Sequence, residues 1–330
     1  MTEFIRPKVV SSKCIEFEYC RYNGNIIRSD IVRELKEYLD FTPVCPEVEV
    51  GLGVPRDPIR IVEQDETLKL IQSSTGKDIT EDMISFARDF LGSLPEVDGF
   101  ILKYKSPSCG TKHTPYLAST QKGAPKVGTG PGLFGREVLN MFPRRPVENE
   151  GRLRNFRIRE HFLTQLYTIA RFRKVKESES MHELVQFQAH NKFLLMAYNQ
   201  EMMREMGRIV ANPDKKSFSE VINDYENHLL DTLAYPPKYT SNINVLMHML
   251  GYFSEDLSHE EKAFFLDELE KYRAGWVPLF VMTRLLKTWV VRFDQPYLKE
   301  QTFFEIFPEE LMIFDLKDTW RGRSHWEKRR

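Results

Sequence analysis

Phe100-Ile101-Leu102, running on to Lys105-Ser106-Pro107-Ser108-Cys109-Gly110, is the stretch on which the fold turns. The apolar triplet is the kind of short run that forms a fully buried strand. Pro107 and Gly110 then force a tight loop at the strand's C-terminal end, where layered α/β folds bind their ligands. A cysteine on that loop, with two serine hydroxyls beside it, suggests chemistry more than packing. Cys14, Cys20 and Cys45 all fall early in the chain, so their convergence on Cys109 becomes the point to test.

Working outward, the N-terminal part alternates short strands with helices. Val9-Val10 opens a strand that runs towards Cys14. Ile31, Leu35, Tyr38 and Leu39 follow helical spacing, with Ser29 or Asp30 as N-cap. Phe41 to Cys45 returns as a second strand, and Ile59–Val62 and Leu68–Ile71 pair as a hairpin. Thr80 is expected to cap a helix carrying Met83, Phe86, Ala87, Phe90 and Leu91. This alternation predicts a layered α/β domain with a mostly parallel sheet. The segment from Gly123 to Gly135 lacks the Lys-Ser/Thr pair of a phosphate-cradling loop and reads as a plain loop near the site. A helix at Glu137–Met141 ends at Pro143-Arg-Arg-Pro146, which sets a boundary between domains 1–145 and 146–330.

The second half is all-α in pattern. Leu184, Phe187, Leu194, Tyr198, Met202, Met206 and Ile209 predict one long helix ending at Asn212-Pro213. Ser217-x-x-Glu220 and Ser258-x-x-Glu261 are capping-box signatures. Ala274-Gly275 closes the second of these helices, and Pro278 opens another through Trp289. His182, His190, His228 and His248 are scattered, not set at metal-ligand spacing.

Composition bounds the function. At 330 residues, 41% hydrophobic and 29% charged, the chain is a globular protein of about two domains. Its most apolar segment, Trp276–Met282, is far short of the ~20 residues of a membrane span. Met1 to Lys8 lacks the apolar core of a secretory signal, and four cysteines make no disulfide framework, so a cytoplasmic location is expected. The net charge of −1 hides an asymmetry: residues 101–176 hold 16 basic and 4 acidic side chains. Arg144, Arg145, Arg152, Arg154, Arg157, Arg159, Arg171, Arg173 and Lys174 form a basic band suited to phosphate contacts, or to an ordinary solvated surface. A basic tail with Trp320 and Trp326 could add contacts.

No C-x-x-C pair is present, which disfavours a zinc ribbon, a dithiol or a ferredoxin-type run. Cys14, Cys45 and Cys109 each follow an expected strand. Neighbouring strands lie ~5 Å apart, so loops at one sheet edge can gather three thiolates. Such a set suits an iron–sulfur cluster or zinc, or the three are simply buried, inert cysteines.

Ser11-Ser-Lys-Cys14 with Cys20-Arg-Tyr-Asn-Gly24, Cys45-Pro-Glu47 with Gly51-Leu-Gly-Val-Pro-Arg56, and Lys105-Ser-Pro-Ser-Cys-Gly110 resemble the thiouracil desulfidase (TudS) family, in order, across residues 1–145. Ala189-His-Asn-Lys192, Asn244 to Phe253, Tyr272 to Pro278 and Pro296 to Gln301 resemble YbgA-type helical domains. The fusion resembles the RudS-like two-domain tRNA 4-thiouridine desulfidases. That resemblance implies a 4Fe–4S cluster on Cys14, Cys45 and Cys109, and it gives catalytic roles to Glu47 and Ser106. It also implies non-redox desulfuration, most naturally of 4-thiouridine in tRNA to uridine: an open cluster iron binds the thiocarbonyl sulfur and activated water attacks the ring carbon. Free thiouracil bases as substrates, or a non-enzymatic metal-stabilised RNA-binding protein, are the alternatives. Cys20 falls outside the implied ligand set. Ser106 and, more strongly, Ser108 have a turn-forming reading next to Pro107. Glu47 has a competing reading as a salt-bridge partner of Arg21 or Arg56. The chain departs from the family at Cys14-Ile-Glu-Phe17, where Cys-Leu-Leu-Gly is frequent, which bears on the shape of the pocket. A monomer is compatible with all of this.

Overall fold

The structure is a computed structural model that describes residues 4–65 and 67–311; the Trp320 and Trp326 tail lies outside the described residues. The described residues divide into two compact units, one running to Ala170 and taking in 309–311, the other spanning Arg171–Pro308.

The first unit carries two four-stranded sheets. Strands β1 (Lys8–Ser12), β2 (Asp40–Val44), β5 (Gly99–Leu102) and β8 (Val147–Asn149) pair in the order β2-β1-β5-β8, every neighbour parallel. All four residues of β5 are buried, as expected of a strand covered on both faces. The second sheet runs β4 (Thr67–Gln72), β3 (Ile59–Gln64), β6 (Thr114–Leu117), β7 (Lys126–Gly130). Here β3/β4 and β6/β7 are antiparallel and β3/β6 parallel. Because β8 pairs with β5, the compact unit runs past the Pro143–Pro146 breaker instead of ending at residue 145.

Helices α1 (Asp30–Leu35), α2 (Pro46–Glu49), α3 (Thr80–Ser93) and α4 (Leu133–Met141) complete the layers. Ser29 caps α1 through its side chain. Thr80 does not cap α3: its hydroxyl instead accepts from Leu70 N (2.8 Å) and donates to Asp78, tying the helix start to β4. Val10, Ile61, Leu70, Met83, Phe100, Phe134 and Val138 form the core, with Phe86, Phe90 and Phe134 in mutual ring contact.

The glycine-rich segment departs from its loop reading. Lys126–Gly130 is a strand, and Gly132 leads directly into α4. Gly132 N, Leu133 N and Gly135 N donate to the carbonyls of Gly110, Pro107 and Ser108 at 2.7, 3.1 and 3.0 Å. A Cβ on Gly132 would sit 2.5 Å from Ser108 O and 2.7 Å from Pro107 O. The glycine is there for close approach: the start of α4 grips the cysteine loop.

Helix α5 (Phe156–Ser178) crosses the boundary between the units. The second unit continues as α6 (Met181–His190), α7 (Lys192–Tyr198), α8 (Gln200–Ala211), α9 (Phe218–Thr232), α10 (Tyr239–Gly251), α11 (His259–Arg273), α12 (Leu279–Arg292) and α13 (Pro296–Lys299). The single long helix expected over 184–209 is three. Asn199 takes an extended conformation and its side chain accepts from Glu201 N and Met202 N, capping α8. An asparagine able to satisfy two orphan N–H groups favours a break over continuity. Both capping boxes form in full, and Gly275 (φ +78°) closes α11.

Candidate active site

Parallel pairing aligns the C-terminal ends of β1, β2 and β5 on one edge: Ser12 pairs with Val44, and Ser11 with Ile101. The loops leaving that edge carry Cys14, Cys45 and Cys109. Together with Cys20 these thiols line one cavity of about 450 Å³, which Glu47, Arg56, Ser106 and Ser108 also line. Lys103 and Tyr104 extend the wall, both fastened to Glu150: Lys103 Nζ at 2.6 Å and Tyr104 N at 3.0 Å.

Cys45 occupies the N-cap position of α2, and Pro46 at its first position directs Glu47 towards the cavity wall. Arg56 holds one carboxylate oxygen of Glu47, with Nε at 2.8 Å and Nη2 at 2.6 Å from Oε2. The guanidinium also donates to Gly53 O and Cys20 O and approaches Cys45 Sγ (3.9 Å), so its donors are spent within the site. Its side chain is 3% exposed. The other oxygen, Oε1, accepts from Ser108 Oγ at 2.6 Å, and Ser108 Oγ lies 2.9 Å from Ser106 Oγ. Ser106 Oγ in turn accepts from Cys109 N (3.1 Å) and Ser108 N (3.3 Å).

The turn reading of Ser108 is therefore corrected: it is fully buried and bridges the two groups that the sequence singles out. The signal was half there, since hydroxyls two positions apart on a tight loop can hydrogen-bond each other, but the carboxylate that Ser108 reaches lies 61 positions away. The salt bridge read as competing with a catalytic Glu47 exists with Arg56, and it positions the carboxylate without removing it from the cavity.

At the departure Cys14-Ile-Glu-Phe17, Glu16 takes a left-handed backbone (φ +62°) and its buried carboxylate accepts from Ser29 N. Ile27 N donates to Cys14 O at 2.8 Å, and Phe17 packs on Phe41. The turn is held by side-chain bonding in place of a glycine.

Cys20, Cys45 and Cys109 are held neutral by their surroundings. Burial pushes the Cys109 thiol up to about 12, against hydrogen bonds from Ser12 and Ser108. A hydrogen bond to Cys14 is the main cause raising Cys20 to about 11. Cys45 is raised well above the usual thiol range, first by its hydrogen bond with Cys20 and then by burial. Thiolates here need a compensating cation. Among the described residues no three His, Cys, Asp or Glu side chains converge closely enough for a metal ion. The thiols instead share the wall of one cavity, and a multi-iron cluster spreads its ligands further apart than one ion does. Soft donors in a partly buried ring fit such a group.

The basic band is dispersed. Arg159 and Arg173 are buried, which removes them from any phosphate-contacting surface; Arg159 donates to Leu153 O, and Arg173 pairs with Glu177. Arg145 pairs with Glu96, Arg152 with Glu148 and Lys174 with Glu177, while Arg171 donates to the Ile306 carbonyl. Arg144, Arg154 and Arg157 stand on the surface of the first unit.

Residues 9–150 match the family model described as 2-thiouracil desulfurase. An uncharacterized protein, YbbK of Bacillus subtilis (strain 168), is 32% identical over 111 residues, covering 31% of this chain and 73% of that protein. The chain belongs to the 2-thiouracil desulfurase family. Residues 192–308 match a second model, a protein of unknown function (DUF1722). Uncharacterized YbgA of Escherichia coli (strain K12) is 23% identical over 153 residues, covering 46% of this chain and 90% of that protein. A solved structure titled [4Fe-4S]-dependent thiouracil desulfidase TudS shares 24% identity over 45% of this chain and 94% of its own, with a TM-score of 0.35. No helix among the described residues is long and apolar enough to cross a membrane.

Proposed function

We propose that this desulfurase-family chain removes sulfur hydrolytically from thiolated pyrimidines, using a 4Fe–4S cluster held by Cys14, Cys45 and Cys109. The observation that carries the reading is the meeting of those thiols with Glu47, Ser106 and Ser108 around one cavity in the family-matched segment. A cluster bound there by three cysteines supplies a soft, Lewis-acidic iron that prefers sulfur to oxygen. Glu47 is the proton acceptor for the attacking water, with Arg56 fixing its orientation. Positioned acid–base groups of this kind are commonly worth ~10²–10⁴-fold. Ser106 hydrogen-bonds a heteroatom of the pyrimidine. Cys20 is a wall thiol, not a ligand.

The substrate we favour is 4-thiouridine in tRNA, supported by Arg144, Arg154 and Arg157 on the surface of the unit that contains the cavity. The decisive measurement is nucleoside mass spectrometry of bulk tRNA treated with anaerobically reconstituted protein. Conversion of 4-thiouridine to uridine is expected. Unchanged tRNA alongside turnover of free thiouracil would shift the reading to free bases, which the ion pairing of much of the band also favours. Purification with zinc and no iron would overturn the cluster.

A further inference from the structure

We infer that Ser108 is a positioning residue for this reaction, joining Ser106 and Glu47 into one proton-carrying unit; the inference rests on the desulfidase reading above. Ser108 has no accessible surface, so it acts only through its neighbours. Its one hydroxyl proton goes to Glu47 Oε1 (2.6 Å), so the proton in the 2.9 Å contact between the serines belongs to Ser106. The resting chain is therefore polarised from Ser106 through Ser108 to Glu47. All three members stand on the cavity wall, and Ser108 is set deepest, with no accessible surface of its own.

This arrangement returns a proton within the site. Water loses a proton to Glu47 as its oxygen bonds to the ring carbon and the carbon–sulfur π pair moves onto sulfur. Protonated at Oε1, Glu47 turns from acceptor to donor and the two serine hydroxyls swing over, so the chain reverses: Glu47 gives that proton to Ser108, Ser108 passes its own to Ser106, and Ser106 delivers its own to a pyrimidine heteroatom. One O–H bond breaks and one forms at each serine, and Glu47 returns to carboxylate. The carbon–sulfur bond then breaks as the new carbon–oxygen bond becomes a carbonyl, and both water protons end on the released sulfide, so no outside acid or base is consumed. Two backbone N–H groups, from Ser108 and Cys109, already point at Ser106 Oγ and steady the oxygen as its proton leaves. Arg56, engaged with Oε2 alone, leaves Oε1 to the relay.

The test is a double-mutant cycle on the reconstituted full chain with 2-thiouracil as probe. Ser108→Ala should lower kcat about 100-fold. Iron and sulfide content, and the affinity for uracil measured by calorimetry, should stay within twofold of wild type. Ser106→Ala/Ser108→Ala should be no slower than Ser106→Ala alone, within threefold, because residues acting as a unit are not additive. A Ser108→Ala enzyme within threefold of wild type, or losses that multiply, would overturn the relay and leave the desulfidase reading standing. Wild-type protein that loads iron but releases no sulfide would overturn both. Should Ser108→Ala fail to take up iron, the cycle between Glu47→Gln and Ser106→Ala decides: a relay makes the double variant no slower than the slower single one, whereas independent groups multiply.

Discussion

Glu47 and Arg56 form a buried pair whose carboxylate also faces a reaction cavity, so the interaction serves geometry and stability at once. Removing one partner of a buried pair leaves an uncompensated charge, commonly at a cost of 3–5 kcal/mol. Arg56→Ala should lower unfolding free energy in urea by about that amount, and Glu47→Gln in the same chain should restore part of it. Arg56→Lys keeps the charge but loses the two-pronged contact, so stability should fall less than activity does. The thiols make a pH prediction. In the metal-free protein, Cys109 keeps its proton towards pH 12, while in the unfolded chain the thiol ionises near its ordinary value of 9.0. The folded state binds more protons across that window, so stability falls as pH rises through it. Thermal melts of metal-free protein should show that loss, and Cys109→Ala should reduce it.

At the scale of elements, the parallel sheet was readable from short apolar pieces, Val9-Val10 and Phe100-Ile101-Leu102 above all, with breakers after them. Cys14, Cys45 and Cys109 could be placed at one edge from strand order alone. What escaped was tertiary. Thr80 looks like an N-cap in sequence but bonds to β4; Asn199 looks like a polar position on a helix but breaks it. The segment 123–135 looks like a loop because glycine hides strand pattern, whereas two of its glycines, Gly132 and Gly135, let α4 press on residues 106–110. Ser108 was misjudged for the same reason, since its acceptor lies on another loop. The grip of α4 is testable. Gly132→Ala places a methyl against three carbonyls of the cysteine loop, so iron loading after reconstitution should fall at least severalfold, with a lowered Tm. Phe134→Ala, in the first turn of the same helix and fully buried, should cost about 3–5 kcal/mol, and its damage to iron loading should be smaller than that of Gly132→Ala.

Across the whole molecule, charge divides in a way that composition alone conceals. The chain is nearly neutral, yet 16 of its 47 basic residues fall within residues 101–176. Folding spends many of them internally: Arg159 and Arg173 are buried, and Arg145, Arg152 and Lys174 are paired with carboxylates. A linear count therefore overstates the phosphate-binding surface, and the exposed Arg154 and Arg157 become the residues that discriminate between substrates. A free base offers no phosphates to them, whereas a polynucleotide does. On the tRNA reading, Arg154→Glu/Arg157→Glu should cut the rate on thiolated tRNA at least tenfold and leave the rate on 2-thiouracil within twofold. Neutralising each arginine to alanine should reduce the slope of log affinity against log salt by about 1. Equal rates of wild type and charge-reversed protein on tRNA would return these arginines to ordinary surface and the substrate to the free base.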